Sequence, residues 1–132
     1  NITLIQLMGT WCPNCKDEVV YYQELIRKYD DITVVALCFE HPNSFEEKAE
    51  RVKQLQKKYN IEYPLLIAGN VNKQESSDLL PFLNHVVSYP TTVIVDKTGK
   101  VRRVHTGFYG PGTGDYYVNY KSEMESLLET LR

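Results

Sequence analysis

Long apolar runs, a surplus of one charge and an even number of cysteines are all missing from this chain of 132 residues. Its apolar stretches fall far short of the roughly 20 residues that span a bilayer, and its start lacks the charged-then-apolar pattern of a signal peptide. Lys and Arg total 15 against 17 Asp and Glu, a net charge of -2. No basic excess therefore points to nucleic acid, and no acidic tract points to a disordered tail.

The length is that of one domain, which buries roughly two-thirds of its unfolded surface. Asn1 is followed at once by an apolar run that has the character of a buried core strand. A natural protein seldom opens inside its own sheet. We therefore expect residues 1–132 to be a single domain cut from a longer exported precursor, whose upstream part holds an export signal or a lipid anchor.

Strand and helix patterns alternate along the chain. Apolar runs predict strands over 3–8, 32–39, 63–68, 91–95 and 101–108, the last two joined by a hairpin turn; helical spacing predicts helices over 13–29, 45–59, 78–87 and after 115. Asp17 and Glu18 lie early in the first helix, where acids match its dipole. This order predicts an α/β sandwich with a mixed central sheet.

The motif Trp11-Cys12-Pro13-Asn14-Cys15 lies directly between the first strand and the first helix. A thiolate at Cys12 faces the free N–H groups and the positive dipole end of that helix, which favour the charged form. Cys15 lies one turn further on, close enough to displace a mixed disulfide on Cys12. The placement predicts a redox-active dithiol.

Two other interpretations of the cysteines stay open. A structural disulfide is disfavoured because so short a loop gives little entropic stabilisation. A zinc site made of Cys12, Cys15, Cys38 and His41 is disfavoured because Cys38 lies inside a core strand, whereas structural zinc ligands usually lie on short loops. We expect Cys38 to be a small buried hydrophobe, although a third redox thiol is conceivable.

Three further segments complete a pattern. Tyr89-Pro90-Thr91 stands directly before a strand, and residues 96–101 and 106–114 form a hairpin turn and a Gly-rich loop. With the dithiol motif, these segments resemble the thioredoxin superfamily, specifically its extracytoplasmic TlpA/ResA-like branch of thiol-disulfide oxidoreductases in the versions from Bacteroides-type bacteria. The resemblance covers nearly the whole chain and implies a thioredoxin-like three-layer sandwich, with a mixed central sheet flanked by helices.

The resemblance also implies roles at the dithiol. Cys12 is then the nucleophile and Cys15 the buried resolving thiol. Trp11 shields the pair, and Pro13 lies between the cysteines, where it tunes the thiolate. Both belong to the surface that meets the substrate.

The segment before the fourth strand receives a role in the same way. The resemblance implies that Pro90 is cis and packs beside Cys12. It also implies that the backbone of Tyr89 pairs with an extended substrate.

One departure concerns the group that deprotonates the resolving cysteine. Thioredoxin has a buried aspartate on the motif strand, and the matching position here is Gln6, which takes no proton. In the TlpA/ResA branch an acidic residue beyond the next strand has a similar place. The candidate here is Glu40, with His41 as its rival, because strand ends of a parallel sheet lie side by side. A solvated loop carboxylate is the plainer interpretation of Glu40.

The expected function is a thiol–disulfide oxidoreductase, foremost a protein disulfide reductase, in the periplasm. It needs no cofactor, because the dithiol carries the electrons. Its expected partners are protein disulfides and a membrane electron donor of the thiol-reducing type, not nucleic acid, and we expect a monomer. The alternatives are a peroxiredoxin-like thiol peroxidase and a non-catalytic binding module of the same fold.

Overall fold

The computed structural model describes residues 1–41, 44–71 and 89–132. Its strands are β1 (Ile2–Met8), β2 (Ile32–Glu40), β3 (Leu65–Asn70), β4 (Thr91–Val95) and β5 (Val101–Thr106). Its helices are α1 (Pro13–Lys28), α2 (Phe45–Tyr59) and α3 (Asp115–Leu131), with a 3-10 turn at Pro111–Thr113. The helix predicted over 78–87 lies outside the described residues.

One five-stranded sheet organises these elements, in the order β3-β2-β1-β4-β5. β1 pairs in parallel with β2, and β2 with β3, whereas β4 pairs antiparallel to β1 and β5 antiparallel to β4. The prediction of a mixed sheet with flanking helices is therefore confirmed. Because Met8 pairs with Cys38 in the parallel register, the carboxyl ends of β1 and β2 meet at one edge of the sheet.

The largest apolar cluster lies between this sheet and its helices. Tyrosine supplies much of it: the rings of Tyr21 and Tyr22 on α1 and Tyr120 on α3 lie within 6 Å of a neighbouring ring in the cluster. Phe108 closes the group, 5.1 Å from Tyr120 between ring centroids. This packing fixes α1, and with it the dithiol motif, against the sheet. In the three described ranges, no helix is long and apolar enough to cross a bilayer.

Candidate active site

The two cysteines of the motif lie at the first turn of α1 and are joined by a disulfide bond. Cys12 is the N-cap residue, and its Sγ accepts a hydrogen bond of 3.2 Å from the backbone N–H of Cys15. Pro13 occupies the first turn, where a missing N–H costs no hydrogen bond. Cys12 is 5% exposed and Cys15 fully buried. Of the two residues, only Cys12 is accessible to a disulfide from outside.

Trp11 is held in place beside the disulfide. Its Nε1 donates a hydrogen bond of 2.9 Å to the carbonyl oxygen of Phe39, and its ring lies 5.6 Å from that of Tyr89 and 5.2 Å from that of His41. A side chain at Gly9 would collide with the indole and with the Phe39 carbonyl oxygen. The sequence therefore needs glycine before Thr10 for the indole to pack this closely.

The segment before β4 lies against Cys12. The Tyr89–Pro90 peptide bond is cis, and Cys12 Sγ lies 3.9 Å from the carbonyl oxygen of Tyr89. The carbonyl oxygen of Pro90 accepts a hydrogen bond of 2.7 Å from the N–H of Gly107. The structure thus brings together four of the sequence-predicted residues: Trp11, Cys12, Tyr89 and Pro90.

Glu40 ends β2 and is 1% exposed, so it is not the solvated loop carboxylate of the plainer interpretation. One oxygen accepts a hydrogen bond of 2.9 Å from the backbone N–H of Thr10, and the other accepts one from the Thr10 hydroxyl. These bonds go to the turn that precedes Cys12 rather than to either sulfur. His41, the rival candidate, is exposed beside the indole of Trp11.

A second buried carboxylate is that of Glu18, for which the sequence predicted only a place near the positive end of the helix. Glu18 is fully buried one turn beyond Cys15. Its Oε1 accepts hydrogen bonds from Gln6 Nε2 at 3.0 Å and from the Thr92 hydroxyl at 3.4 Å, while Oε2 has no partner among the described residues. Burial raises the pKa of Glu18 to about 8, although the bond from Gln6 opposes that shift.

Glu18 belongs to a buried chain of polar groups. Gln6 Oε1 accepts a hydrogen bond of 2.9 Å from the hydroxyl of Tyr63, and Tyr22 links Thr92 to Tyr120 through hydroxyl contacts of 2.7 and 3.4 Å. Gln6, where the resemblance to thioredoxin leads one to look for an acid, is bonded directly to an acid supplied by α1. A signal for this existed, because Glu18 follows Cys15 by three residues and so shares its helix face.

The surroundings of Cys38 bear both on the role of this cysteine and on the alternative of a zinc site. Burial, with a smaller contribution from Glu40, raises the pKa of the Cys38 thiol to about 12, as expected for a cysteine that packs like a small hydrophobe. Across residues 1–41, 44–71 and 89–132, no three His, Cys, Asp or Glu side chains are grouped to hold a metal ion. The zinc ligands proposed from the sequence are therefore not gathered into one site.

Known proteins resemble this chain in sequence and in structure. The thioredoxin-like protein YneN of Bacillus subtilis is 31% identical over 105 residues, which cover 79% of this chain and 55% of YneN. The thiol-disulfide oxidoreductase ResA of Bacillus thuringiensis is 30% identical over 101 residues, covering 74% of this chain and 50% of ResA. The chain thus spans about half the length of these curated relatives.

A solved structure agrees with the architecture. A thiol-disulfide isomerase from Corynebacterium glutamicum superposes with a TM-score of 0.74 at 17% identity, covering 99% of this chain and 80% of the isomerase. At this identity the likeness shows the fold, which is thioredoxin-like. The AhpC/TSA family model matches residues 1–104, from β1 into the β4–β5 hairpin, and the chain accordingly belongs to the AhpC/TSA family.

Proposed function

We propose that this chain is a thiol–disulfide oxidoreductase that reduces protein disulfides through Cys12 and Cys15. The observation that carries the proposal is the disulfide at the first turn of α1, with one sulfur at the N-cap and the other buried behind it. The helix N–H groups stabilise a thiolate at the N-cap, and thiolates are the nucleophiles of disulfide exchange. The names of the curated relatives support the same class of chemistry.

The reaction starts from the reduced dithiol. The Cys12 thiolate attacks one sulfur of the substrate disulfide, forms a mixed disulfide and releases the first substrate thiolate. Cys15 then loses its proton and attacks Cys12 Sγ, which releases the second substrate thiolate. Two electrons pass to the substrate, and the Cys12–Cys15 disulfide is the oxidised product.

The second step requires a base near a buried thiol. Glu18 lies on the helix face of Cys15, and burial raises its pKa to about 8, which is near neutral pH and so suits a general base or acid. We propose that Glu18 accepts the proton that Cys15 loses in this step. Glu40 acts as a positioning residue, since its carboxylate holds Thr10 and the turn before Cys12.

The substrate contacts follow from what surrounds Cys12. The backbone of Tyr89, whose carbonyl oxygen lies 3.9 Å from Cys12 Sγ, is the proposed site at which an extended substrate aligns, with Pro90 directly after it. Trp11 shields the disulfide from one side, and Pro13 is exposed between the cysteines. These four residues form the proposed substrate-binding surface.

We further propose a location and partners. Reduction of protein disulfides is useful where disulfides persist, which in bacteria is the periplasm. There the oxidised pair needs electrons from a membrane donor of the thiol-reducing type, and the dithiol needs no cofactor. A monomer is sufficient for this exchange, because all the residues assigned above come from one chain.

The test is the reduction potential of the Cys12–Cys15 pair, measured by equilibration in glutathione or dithiothreitol buffers, with zinc content determined on the same sample. Known dithiol proteins span roughly -270 mV, as in thioredoxin, to -120 mV, as in DsbA. A value near the thioredoxin end supports a reductase, and one near the DsbA end supports a disulfide donor instead. Failure to form the disulfide, or bound zinc in the reduced protein, would overturn the proposal. Consumption of hydrogen peroxide without a protein disulfide would favour the thiol peroxidase.

A further inference from the structure

A positively charged groove lies beside the dithiol, between the start of α1 and the helix α2. Its volume is about 460 Å³, within the roughly 300–1,000 Å³ range of ligand sites. Its lining combines cationic, apolar and neutral polar side chains: Thr10, Trp11, Lys16, Arg51, Gln54, Leu55 and Lys58. No acidic residue of the described ranges lines it.

The three cations of the groove have no carboxylate partner in the described part of the chain. The ion pairs found there join Arg27 to Glu62, Lys28 to Glu125, Arg102 to Asp96, and Arg132 to Asp31 and Glu129. Lys16, Arg51 and Lys58 belong to none of them. Because the whole chain has a net charge of -2, this groove is a local reversal of the overall sign. Such a reversal selects anionic partners.

The groove is continuous with the dithiol motif. Thr10 and Trp11 directly precede Cys12, and Lys16 directly follows Cys15. An extended chain advances about 3.3 Å per residue, so a substrate held at Cys12 reaches the groove within a few residues of its own cysteine. Trp11 and Leu55 give it an apolar wall for the stems of long side chains.

We propose that this groove binds an acidic segment of the client protein, next to the disulfide that Cys12 attacks. The proposal deepens the proposed function and rests on it for the identity of the client. Arg51 offers a planar fork that pairs with a carboxylate through two hydrogen bonds, and Lys16 and Lys58 add two more positive charges to the lining. The preferred substrates are therefore disulfides flanked by Asp and Glu.

Binding in the groove can be followed by the fluorescence of Trp11, because it is the only tryptophan of the sequence. The first experiment titrates its fluorescence with a cysteine-free peptide rich in Asp and Glu and with the matching Asn/Gln peptide. We expect the acidic peptide to bind at least tenfold more tightly at low salt, and the difference to shrink as ionic strength rises. This readout needs no redox chemistry, so it is independent of the proposed function.

A pair of double variants on α2 tests the assignment. Arg51→Glu with Lys58→Glu reverses two charges inside the groove, and we expect it to abolish the preference for the acidic peptide. Lys53→Glu with Lys57→Glu makes the same change in charge on the same helix, at residues that line a neighbouring hollow instead. We expect this control to keep the preference, and circular dichroism checks that α2 is intact in both.

The second experiment compares kcat/KM for disulfide-bridged peptides with acidic and with neutral flanks. If the proposed redox chemistry is wrong, both kcat/KM values are low. If only the groove assignment is wrong, the acidic and neutral peptides are reduced with equal kcat/KM. Equal affinity of the native chain for acidic and neutral peptides would overturn the proposal, as would loss of the preference in the Lys53/Lys57 control. Binding to phosphatidylglycerol vesicles, together with equal affinity for the acidic and the neutral peptide, would assign the groove to a lipid surface. That result would also overturn the proposal.

Discussion

Gln6 on β1 and Glu18 on α1 are joined by a hydrogen bond of 3.0 Å in the interior of the protein. The strand therefore supplies the amide and the helix supplies the carboxyl of this buried pair. A carboxyl on α1 moves with the helix that bears both cysteines.

Replacing Glu18 by Gln should slow the resolving step. We expect the collapse of a mixed disulfide between Cys12 and nitrothiobenzoate to slow about 100-fold at pH 8, the lower end of what positioned acid–base groups contribute. In the native chain the rate of this step should rise with pH around 8, and the variant should lose that rise. Asp17→Asn removes an exposed acid one position earlier and should keep the native profile. Identical profiles in all three proteins would remove Glu18 from the mechanism.

Glu18 should also make stability depend on pH. The folded carboxyl keeps its proton up to about pH 8, whereas the ordinary value is near 4.5, so the folded state binds more protons between these limits. The free energy of unfolding of the native chain should therefore fall by a few kcal/mol as pH rises from 4.5 to 8. Urea unfolding of Glu18→Gln across this window should give a flatter profile, and an equally steep fall in the variant would contradict the assignment.

Replacing Glu40 by Gln should show whether Glu40 positions the turn before Cys12 or carries a proton. The amide keeps one oxygen acceptor but loses the charge that strengthens both bonds to Thr10, and we expect a loss of about 1–3 kcal/mol in the free energy of unfolding. Disulfide exchange near neutral pH should slow, because the turn before Cys12 is less well held. The apparent pKa of the exchange rate should stay unchanged, since both carboxylate oxygens of Glu40 are engaged by Thr10. A shift of that pKa would restore Glu40 as a proton carrier.

The thiol of Cys38 should be unreactive in the folded protein. Because burial raises the pKa of its thiol to about 12, iodoacetamide at pH 8 should leave it unlabelled in the folded oxidised chain and label it after unfolding. Cys38→Ala should leave the reduction potential of the Cys12–Cys15 pair unchanged. Labelling of the folded chain by one equivalent, detected by mass spectrometry, would instead identify Cys38 as a reactive third thiol.

The parts that local sequence determines were predictable. Cys12, Pro13 and Cys15 form a helix start whose geometry depends only on neighbouring residues, and the strands on either side have continuous apolar runs. The two carboxylates were harder to place. Glu18 shares its helix face with Cys15, but only the packing of Thr92 and Gln6 against it distinguishes a buried acid from a surface acid.

For Glu40, at the end of β2, the sequence likewise did not predict which groups the buried carboxylate contacts. The sequence predicted it near the dithiol because parallel strands end together, and Met8 pairs with Cys38 in the parallel register. Its partner was not predictable, since the hydrogen bonds depend on how the turn after β1 folds back over the neighbouring strand. Long-range pairing, rather than propensity, decides what a buried carboxylate contacts.

The position of β5 as the outermost of the described strands on its side of the sheet bears on self-association. An exposed sheet edge offers unpaired backbone groups on which another copy can build. Arg102 and Arg103 are both exposed on this strand, and charged side chains on an edge strand oppose the addition of another strand. Because Arg102 is already paired with Asp96, the charge that opposes edge-to-edge addition on β5 is that of Arg103.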